Sequence, residues 1–464
     1  MSRRPISSPL HLQAMNIQTT RASWLLNDYH VKIFSAQRKL TPCHYSSTRS
    51  ATANHHPIGR RLSSLSQAAL IKSSLFSKKA SVNKNDIISI DPLRMVAKEM
   101  KSLTGNIRQL LGSGHPSLDT VAKYYTQSEG KHIRPLIVLL MSRATALAPR
   151  AVSFKEQQNT VNINHSISPL SVLSDVNPGL FSTNDSKNSQ NHDSDPDSDI
   201  LPSQRRLAEI TELIHTASLL HDDVIDHSIS RRGNPSANLE FGNKMAVLAG
   251  DFLLGRASVA LARLRDAEVT ELLATVIANL VEGEFMQLKN TARDEKNPVW
   301  TKETISYYLK KTYLKTASLI SKSCRATALL GGVCSETVDA AYGYGKNLGL
   351  AFQLVDDMLD YTTSEKELGK PAGADLRLGL ATAPLLFAWQ HNEELGSLVG
   401  RKFSKDGDVS RARHLVLQSD GLDQTRALAE QYAEQAIESI RLFPESDAKK
   451  GLQEMAIKAV QRRS

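Results

Sequence analysis

The sequence predicts an all-α protein, and three observations carry that expectation. Apolar residues recur at helical spacing through most of 86–149 and 203–464. No strand-type alternation persists anywhere, which excludes sandwich and α/β architectures. Two acidic clusters, Asp222-Asp223-Val224-Ile225-Asp226 and Asp356-Asp357-Met358-Leu359-Asp360, share the spacing DDxxD and sit among apolar residues.

The chain has 464 residues, a hydrophobic content of 41% and a formal charge of +9. That charge is not spread evenly. Residues 1–85 hold thirteen Lys and Arg against the single acid Asp28, a net +12, so the remainder carries −3. Basic, Ser-rich and acid-poor is the composition of an organellar transit peptide, and the positive charge therefore describes import rather than a nucleic-acid partner. A basic tail that binds anionic surfaces is the alternative. Cys43, Cys324 and Cys334 are too few and scattered for a disulfide framework or a metal knuckle. No uninterrupted apolar run approaches the ~18 residues of a membrane span.

A helix begins near Ile87 and runs through Leu93, Val96, Met100, Leu103, Ile107 and Leu111, with Gly112 and Gly114 ending it. A second covers about Leu118 to Tyr125. A third starts after Gly130-Lys131-His132-Ile133-Arg134-Pro135, where Pro135 suits the first turn. Lys131 and Arg134 then flank a helix N-terminus, whose free N–H groups already favour an anion. Residues 150–202 break the pattern. Asp193, Asp195, Asp197 and Asp199 alternate with Ser and Pro, a composition too polar to offset ordering entropy, so this stretch reads as a low-complexity acidic insert. It lacks the glycine and terminal Glu of an EF-hand.

Helices resume at Ser203, a plausible N-cap for the helix carrying the first acidic cluster. Asp222 and Asp226 are four apart, hence on one helix face, about 6 Å apart along the axis. Crowded carboxylates among apolar residues cost several kcal/mol unless something pairs them. Two such clusters facing each other make an oxygen-only site for a hard divalent cation, most simply Mg²⁺. A solvated acidic face explains one such cluster easily and two embedded copies poorly. Arg231 and Arg232 follow and suit phosphate oxygens, so carboxylates, cations and arginines together indicate a bound diphosphate. Ala246–Leu264 and Val269–Leu288 are apolar helices, the latter with Glu282, Glu284 and Gln287 near its end. Lys311 and Lys315 share a face in 301–330, and Thr316 follows. The second cluster lies on a helix from about Thr337 to Tyr361. Gly369 to Asp375 forms a loop able to fold over a phosphate, and Thr382 and Pro384 start another helix. The tail from Leu422 is amphipathic and is expected to pack on the outside.

These motifs, in this order, make the chain resemble the trans-polyprenyl diphosphate synthases. The matching stretches are GKHIRP (130–135), DDVIDHSISRRG (222–233), NKMAVLAGDFLLGRA (243–257), VEGEFMQ (281–287), KT (315–316), FQLVDDMLD (352–360) and GKPAGADL (369–376). They cover about 87–149 and 203–464. With the basic presequence and the insert, the chain is most similar to the long-chain mitochondrial branch that makes the ubiquinone side chain, the fungal hexaprenyl type.

The resemblance implies a helical bundle around a deep central cavity, working as a homodimer or hetero-oligomer in the mitochondrion, in the matrix or peripherally on the inner membrane. It implies head-to-tail condensation of an allylic diphosphate with isopentenyl diphosphate. Asp222, Asp226 and Asp356 then hold Mg²⁺. Arg231, Lys315 and Lys370 contact the allylic diphosphate. Lys131, Arg134, His215 and Arg232 bind isopentenyl diphosphate, and Thr316 and Gln353, with Lys315, line the developing carbocation. A short-chain, geranylgeranyl-type synthase shares every motif. A class I terpene cyclase shares the all-α fold but lacks GKxxRP and a second DDxxD, and a non-catalytic subunit has eroded aspartates. Ala217 and Ser218, one turn before Asp222, are small where a bulky ring would block a growing chain, which favours a long product.

Overall fold

Helix α1 (Ala97–Leu110) follows a short turn at Pro92–Met95, and α2 (Pro116–Gln127) and α3 (Ile133–Ala146) come next. This computed structural model describes residues 91–127, 132–151, 163, 199–288, 298–362 and 373–462. The expected transit segment, most of the expected insert, and both Lys131 and Lys370 lie outside the described residues. Helix α3 has apolar residues on nearly all sides and is buried from Pro135 to Met141, so it forms the centre of the main core rather than a face of it.

Helix α4 (Pro202–Ile225) carries the first acidic cluster. Its start corrects the assignment of Ser203 as cap. Pro202 occupies the first turn, and Gln204 reaches back to accept the Leu201 N–H at 3.0 Å. The two strands of a minimal hairpin follow, β1 (Ser230–Arg231) and β2 (Asn234–Pro235), a feature the sequence pattern did not announce. Then come α5 (Asn243–Arg263), α6 (Ala267–Leu288), α7 (Lys302–Thr312) and α8 (Ser318–Leu330). Helix α5 is long and apolar enough to cross a membrane, but its Ala246, Ala249, Leu253 and Ala257 are buried, and it packs along α4.

Helix α9 (Ser335–Thr362) carries the second cluster along a length of 28 residues. The remaining helices are α10 (Ala383–Trp389), α11 (Glu394–Gly400), α12 (Asp408–Gln418), α13 (Gly421–Ser439) and α14 (Asp447–Gln461). The expectation that the tail lies outside fails for α13, which packs along α9 with Ala429, Ala433 and Ala436 buried. One apolar core joins α1–α6, α8, the first half of α9 and α14. A second surrounds the other half of α9 with α10–α12. The acidic clusters therefore end helices that are each held on several sides.

Close backbone approach sets where α9 meets α8. A Cβ on Gly349 would lie 2.6 Å from the Ala317 Cα, and one on Gly345 2.7 Å from the Ser321 Cα. Two glycines one turn apart let α9 approach the start of α8 and the residue before it closely, about two turns ahead of the second acidic cluster.

Candidate active site

The last turn of α4 splits its aspartates by role. Asp223 is fully buried and receives Arg231, whose Nε lies 2.9 Å from each carboxylate oxygen, and the Tyr125 hydroxyl also donates to it. Tyr125 in turn accepts the Ala237 N–H at 2.7 Å. Asp222 and Asp226 point the other way, into a cavity of about 550 Å³, and neither has an ion pair among the described residues. Burial raises the Asp222 carboxyl to about 6; Lys315 opposes this, and Glu284 and Asp226 reinforce it. Burial also raises Asp226, again against Lys315. These two carboxylates are poised to accept a cation.

The second cluster is distributed differently. Asp357 is the member on the cavity wall; it accepts from the Tyr308 hydroxyl at 2.5 Å and from Gln353 Nε2 at 2.9 Å. Thr316 donates to Gln353 Oε1 at 2.9 Å, so the amide is fixed with its oxygen toward Thr316. Asp360 accepts the N–H groups of Ala374 and Asp375 at 3.1 and 3.2 Å and ties down the segment after the phosphate loop. Asp356 lies on the other side of the helix, paired at 2.7 Å with Arg462 from α14. Asp356 thus stands apart from Asp222 and Asp226, on the side where its charge reaches Arg134. Among the described residues no three side chains already form a metal cage.

Lys315 reaches the cavity from a wide turn. Between α7 and α8 the chain passes through one π-helical segment, Tyr313–Ala317, of the kind that re-aims side chains at functional sites. Gly283 on α6 makes room, since a Cβ there would meet Lys315 Cγ at 2.7 Å. Glu284 forms an ion pair with the Lys315 ammonium, and Gln287 accepts from it at 3.1 Å. Lys315 and Thr316 therefore stand beside Gln353, with Asp222 and Asp226 across the same cavity.

A second cavity of about 480 Å³ lies behind the first and is lined by His132, Arg232, Phe352, Lys458 and Arg462 among others. Arg134 and His215 border both. Their side chains meet at 3.0 Å between Arg134 Nη1 and His215 Nε2. Burial and the neighbouring arginines hold the His215 pKa well below its usual value, so the ring is neutral and Nε2 accepts from the guanidinium. The hairpin assigns one arginine to each side. Arg232 and Gly233 both have positive φ, 53° and 79°, as a two-residue primed turn requires. That turn sends Arg231 to the first cavity and Arg232 to the second.

A third, apolar groove of about 330 Å³ opens past Asp222 between α4, α5 and α6. Ile214, Leu254, Ile277 and Leu280 line it, and Ser218 borders both it and the first cavity. Ala217, expected beside Ser218 on that path, is fully buried and lines none of these spaces.

The structure thus brings Arg134, His215, Asp222, Asp226, Arg231, Lys315, Thr316 and Gln353 around one cavity. Arg232 stands in the adjoining one, and Asp356 faces α14. Sequence reading missed Lys458 and Arg462, because a lone basic pair at a helix end has no motif to announce it. It also missed Tyr308 and the part played by Glu284, although Glu284 stands inside VEGEFMQ.

The polyprenyl synthetase family matches residues 183–416. The chain is 75% identical over 383 residues to a probable mitochondrial hexaprenyl pyrophosphate synthase of Neurospora crassa, covering 81% of this chain and 82% of that one. It is 47% identical over 419 residues to the mitochondrial hexaprenyl pyrophosphate synthase of Saccharomyces cerevisiae, covering 78% and 89% respectively. A polyprenyl synthase from Caulobacter crescentus, solved with calcium and isoprenyl diphosphate, superposes with a TM-score of 0.64 at 31% identity, covering 80% of this chain and 97% of that one.

Proposed function

The chain belongs to the polyprenyl synthetase family, and from that premise we propose how its two joined cavities extend a prenyl chain. It is a mitochondrial long-chain prenyl diphosphate synthase, a prenyltransferase serving ubiquinone biosynthesis. Its substrates are an allylic diphosphate, taken in the first cavity, and isopentenyl diphosphate, taken in the second.

Asp222 and Asp226 are the carboxylates that suit a divalent cation, and we assign them to Mg²⁺. The fit rests on their lack of a protein partner, while Asp223, Asp357 and Asp360 are each satisfied by the protein. Two carboxylates leave most of the coordination shell to water and diphosphate oxygens, which is how Mg²⁺ binds in phosphate chemistry. Asp356, paired with Arg462 on the other side of α9, is not one of them. Bound there, the metal would supply positive charge to the leaving diphosphate.

The protein's own groups do the rest. Arg231, fixed by Asp223, and Lys315, fixed by Glu284 and Gln287, meet the allylic diphosphate, as does Lys370. The C–O bond breaks with its electron pair going to the diphosphate oxygen, and preorganised cations take up that charge without reorganising. Thr316 and Gln353 border the resulting allylic cation; the bond between them fixes the orientation of the Gln353 amide. Lys131, Arg134, His215 and Arg232 hold isopentenyl diphosphate next door with its double bond toward the cation, which removes the entropy of a bimolecular encounter. The alkene pair forms the new C–C bond, and the released diphosphate takes the proton lost from the adjacent carbon. The lengthening tail passes Ser218 into the apolar groove. Residues 1–85 serve as the import signal.

One observation carries this reading: two basic cavities share the Arg134–His215 wall, with cation-seeking carboxylates on one side only. The test is to incubate the protein with a labelled allylic primer, isopentenyl diphosphate and Mg²⁺ and to size the product. A polyprenyl chain well beyond geranylgeranyl is expected, and none should form with EDTA. Arg134→Ala should raise the KM for isopentenyl diphosphate roughly 10–100-fold, the worth of a charge-assisted phosphate contact. Arg231→Ala should weaken the allylic substrate more. Turnover in EDTA, or untouched isopentenyl kinetics in Arg134→Ala, overturns the assignment.

A further inference from the structure

Lys311 is a lysine that the mechanism above leaves unused. It lies one turn before Lys315 on α7, and its residue surface is only 7% exposed, whereas its neighbour Lys310 faces solvent. The side chain borders the first cavity. Its ammonium lies 5.3 Å from the centre of the Tyr308 ring and has no hydrogen bond or ion pair among the described residues. The carboxylate that acts on it most is Asp357, whose two oxygens are already taken by Tyr308 and Gln353. Burial accordingly lowers the Lys311 pKa, with Asp357 and Asp375 opposing that fall.

A buried ammonium without a hydrogen-bonded counter-ion is costly, and structures keep one where an anion arrives to complete it. The cavity it faces also presents Lys315 and Arg231, which the preceding section assigns to a diphosphate. We propose that Lys311 is a further diphosphate ligand of the allylic cavity, one that contacts the group after its bond to carbon has broken. Its place is on the Asp357 side, opposite Asp222 and Asp226, so it meets the diphosphate from the face away from those carboxylates. The electron pair that leaves with the oxygen adds one negative charge to the diphosphate, and the Lys311 ammonium faces that charge without moving a proton. Lys311 therefore favours free pyrophosphate over the esterified substrate. This inference rests on the prenyltransferase reading.

The experiment compares wild type, Lys311→Gln and, as a control, Lys310→Gln, all as the full-length protein. Calorimetry with Mg²⁺ and inorganic pyrophosphate gives the Kd, and steady-state assays give both KM values and inhibition by pyrophosphate. Lys311→Gln should weaken pyrophosphate binding and inhibition about 10–100-fold, raise the allylic KM by less, and leave the isopentenyl KM within about twofold. Lys310→Gln should match wild type. Unchanged pyrophosphate affinity in a folded, active Lys311→Gln overturns the proposal and leaves Lys311 as a counter-charge for Asp357. If that variant fails to fold, amine acetylation of wild type read by mass spectrometry decides. Mg²⁺ and pyrophosphate should protect Lys311 at least fivefold and Lys310 not at all; equal labelling overturns it. Absence of any prenyl transfer by wild type would instead defeat the functional reading itself.

Discussion

Asp222 and Asp223 are neighbours in sequence and opposites in role. Asp223 is locked between Arg231 and Tyr125, so Asp223→Ala strands a half-buried guanidinium and should cost roughly 3 kcal/mol of stability. Asp222→Ala removes a carboxylate with no protein partner. It should lower turnover by at least about 100-fold while leaving helical content near wild type. Circular dichroism and a Mg²⁺ titration of activity separate the two. The raised Asp222 pKa makes a second, signed expectation. Its folded value of about 6 stands above the ordinary aspartate value of 3.8, so the native state holds the proton through that interval. Ionising Asp222 therefore removes stability from the metal-free protein as pH rises from about 4 to about 6. Asp222→Asn cannot ionise. In EDTA it should gain on wild type across that window, by up to about 3 kcal/mol, and the gain should shrink when Mg²⁺ is added. Urea midpoints at pH 4.5 and 7 measure it, and a constant difference between the two proteins would be the contrary result.

At the scale of the element, the insert is more attached than its composition suggests. Ile163 is buried in the main core, and its carbonyl accepts Arg206 Nε at 3.0 Å. Replacing 167–196 by a Gly/Ser linker should leave a folded, active enzyme. A deletion that also takes Ile163 should lose about 2–3 kcal/mol, read from the thermal midpoint. Equal stability of the two deletions would show that Ile163 does not anchor the segment. Of the two small residues before Asp222, Ser218 lines both the cavity and the apolar groove, and Ala217 lines neither. Ser218→Phe should shorten the polyprenyl product, because Ser218 borders both cavity and groove. Ala217→Phe should instead overpack the core by about 1–3 kcal/mol. Product sizing of both variants decides, and an unchanged chain from Ser218→Phe places the floor deeper. These contrasts mark what the sequence could convey. Periodicity found the long helices, and DDxxD spacing found which helix ends matter, because i to i+4 neighbours are fixed by the helix itself. Which aspartate of each cluster faces the cavity depended on partners far away in sequence, such as Tyr125 for Asp223 and Arg462 for Asp356. The π turn at Tyr313–Ala317 left no trace in residue type, and neither did the primed turn beyond its Gly233.

At the scale of the whole molecule, one cluster of exposed apolar residues among the described ones stands beside the groove. Val247 and Leu248 on α5 and Val281, Phe285 and Leu288 on α6 are all exposed, and all but Leu248 also wall the groove assigned to the growing tail. A second copy of the chain across this face would complete that wall. Phe285→Glu should yield monomer by light scattering and, with the groove left open to water, a shorter product distribution. A wild-type monomer at micromolar concentration would remove the premise. The Arg134–His215 wall has a consequence for repeated turnover. Under the proposed assignment, each condensation keeps the diphosphate of the incoming unit and discards that of the primer, so every finished round would leave the chain's head on the wrong side of this wall. Before the next round the head must be handed across, past a neutral imidazole and a single guanidinium, while its tail stays threaded in grease. On that assignment a synthase that builds many units without letting go would be a relay run over one threshold, and the ease of that crossing would set whether products leave early or late.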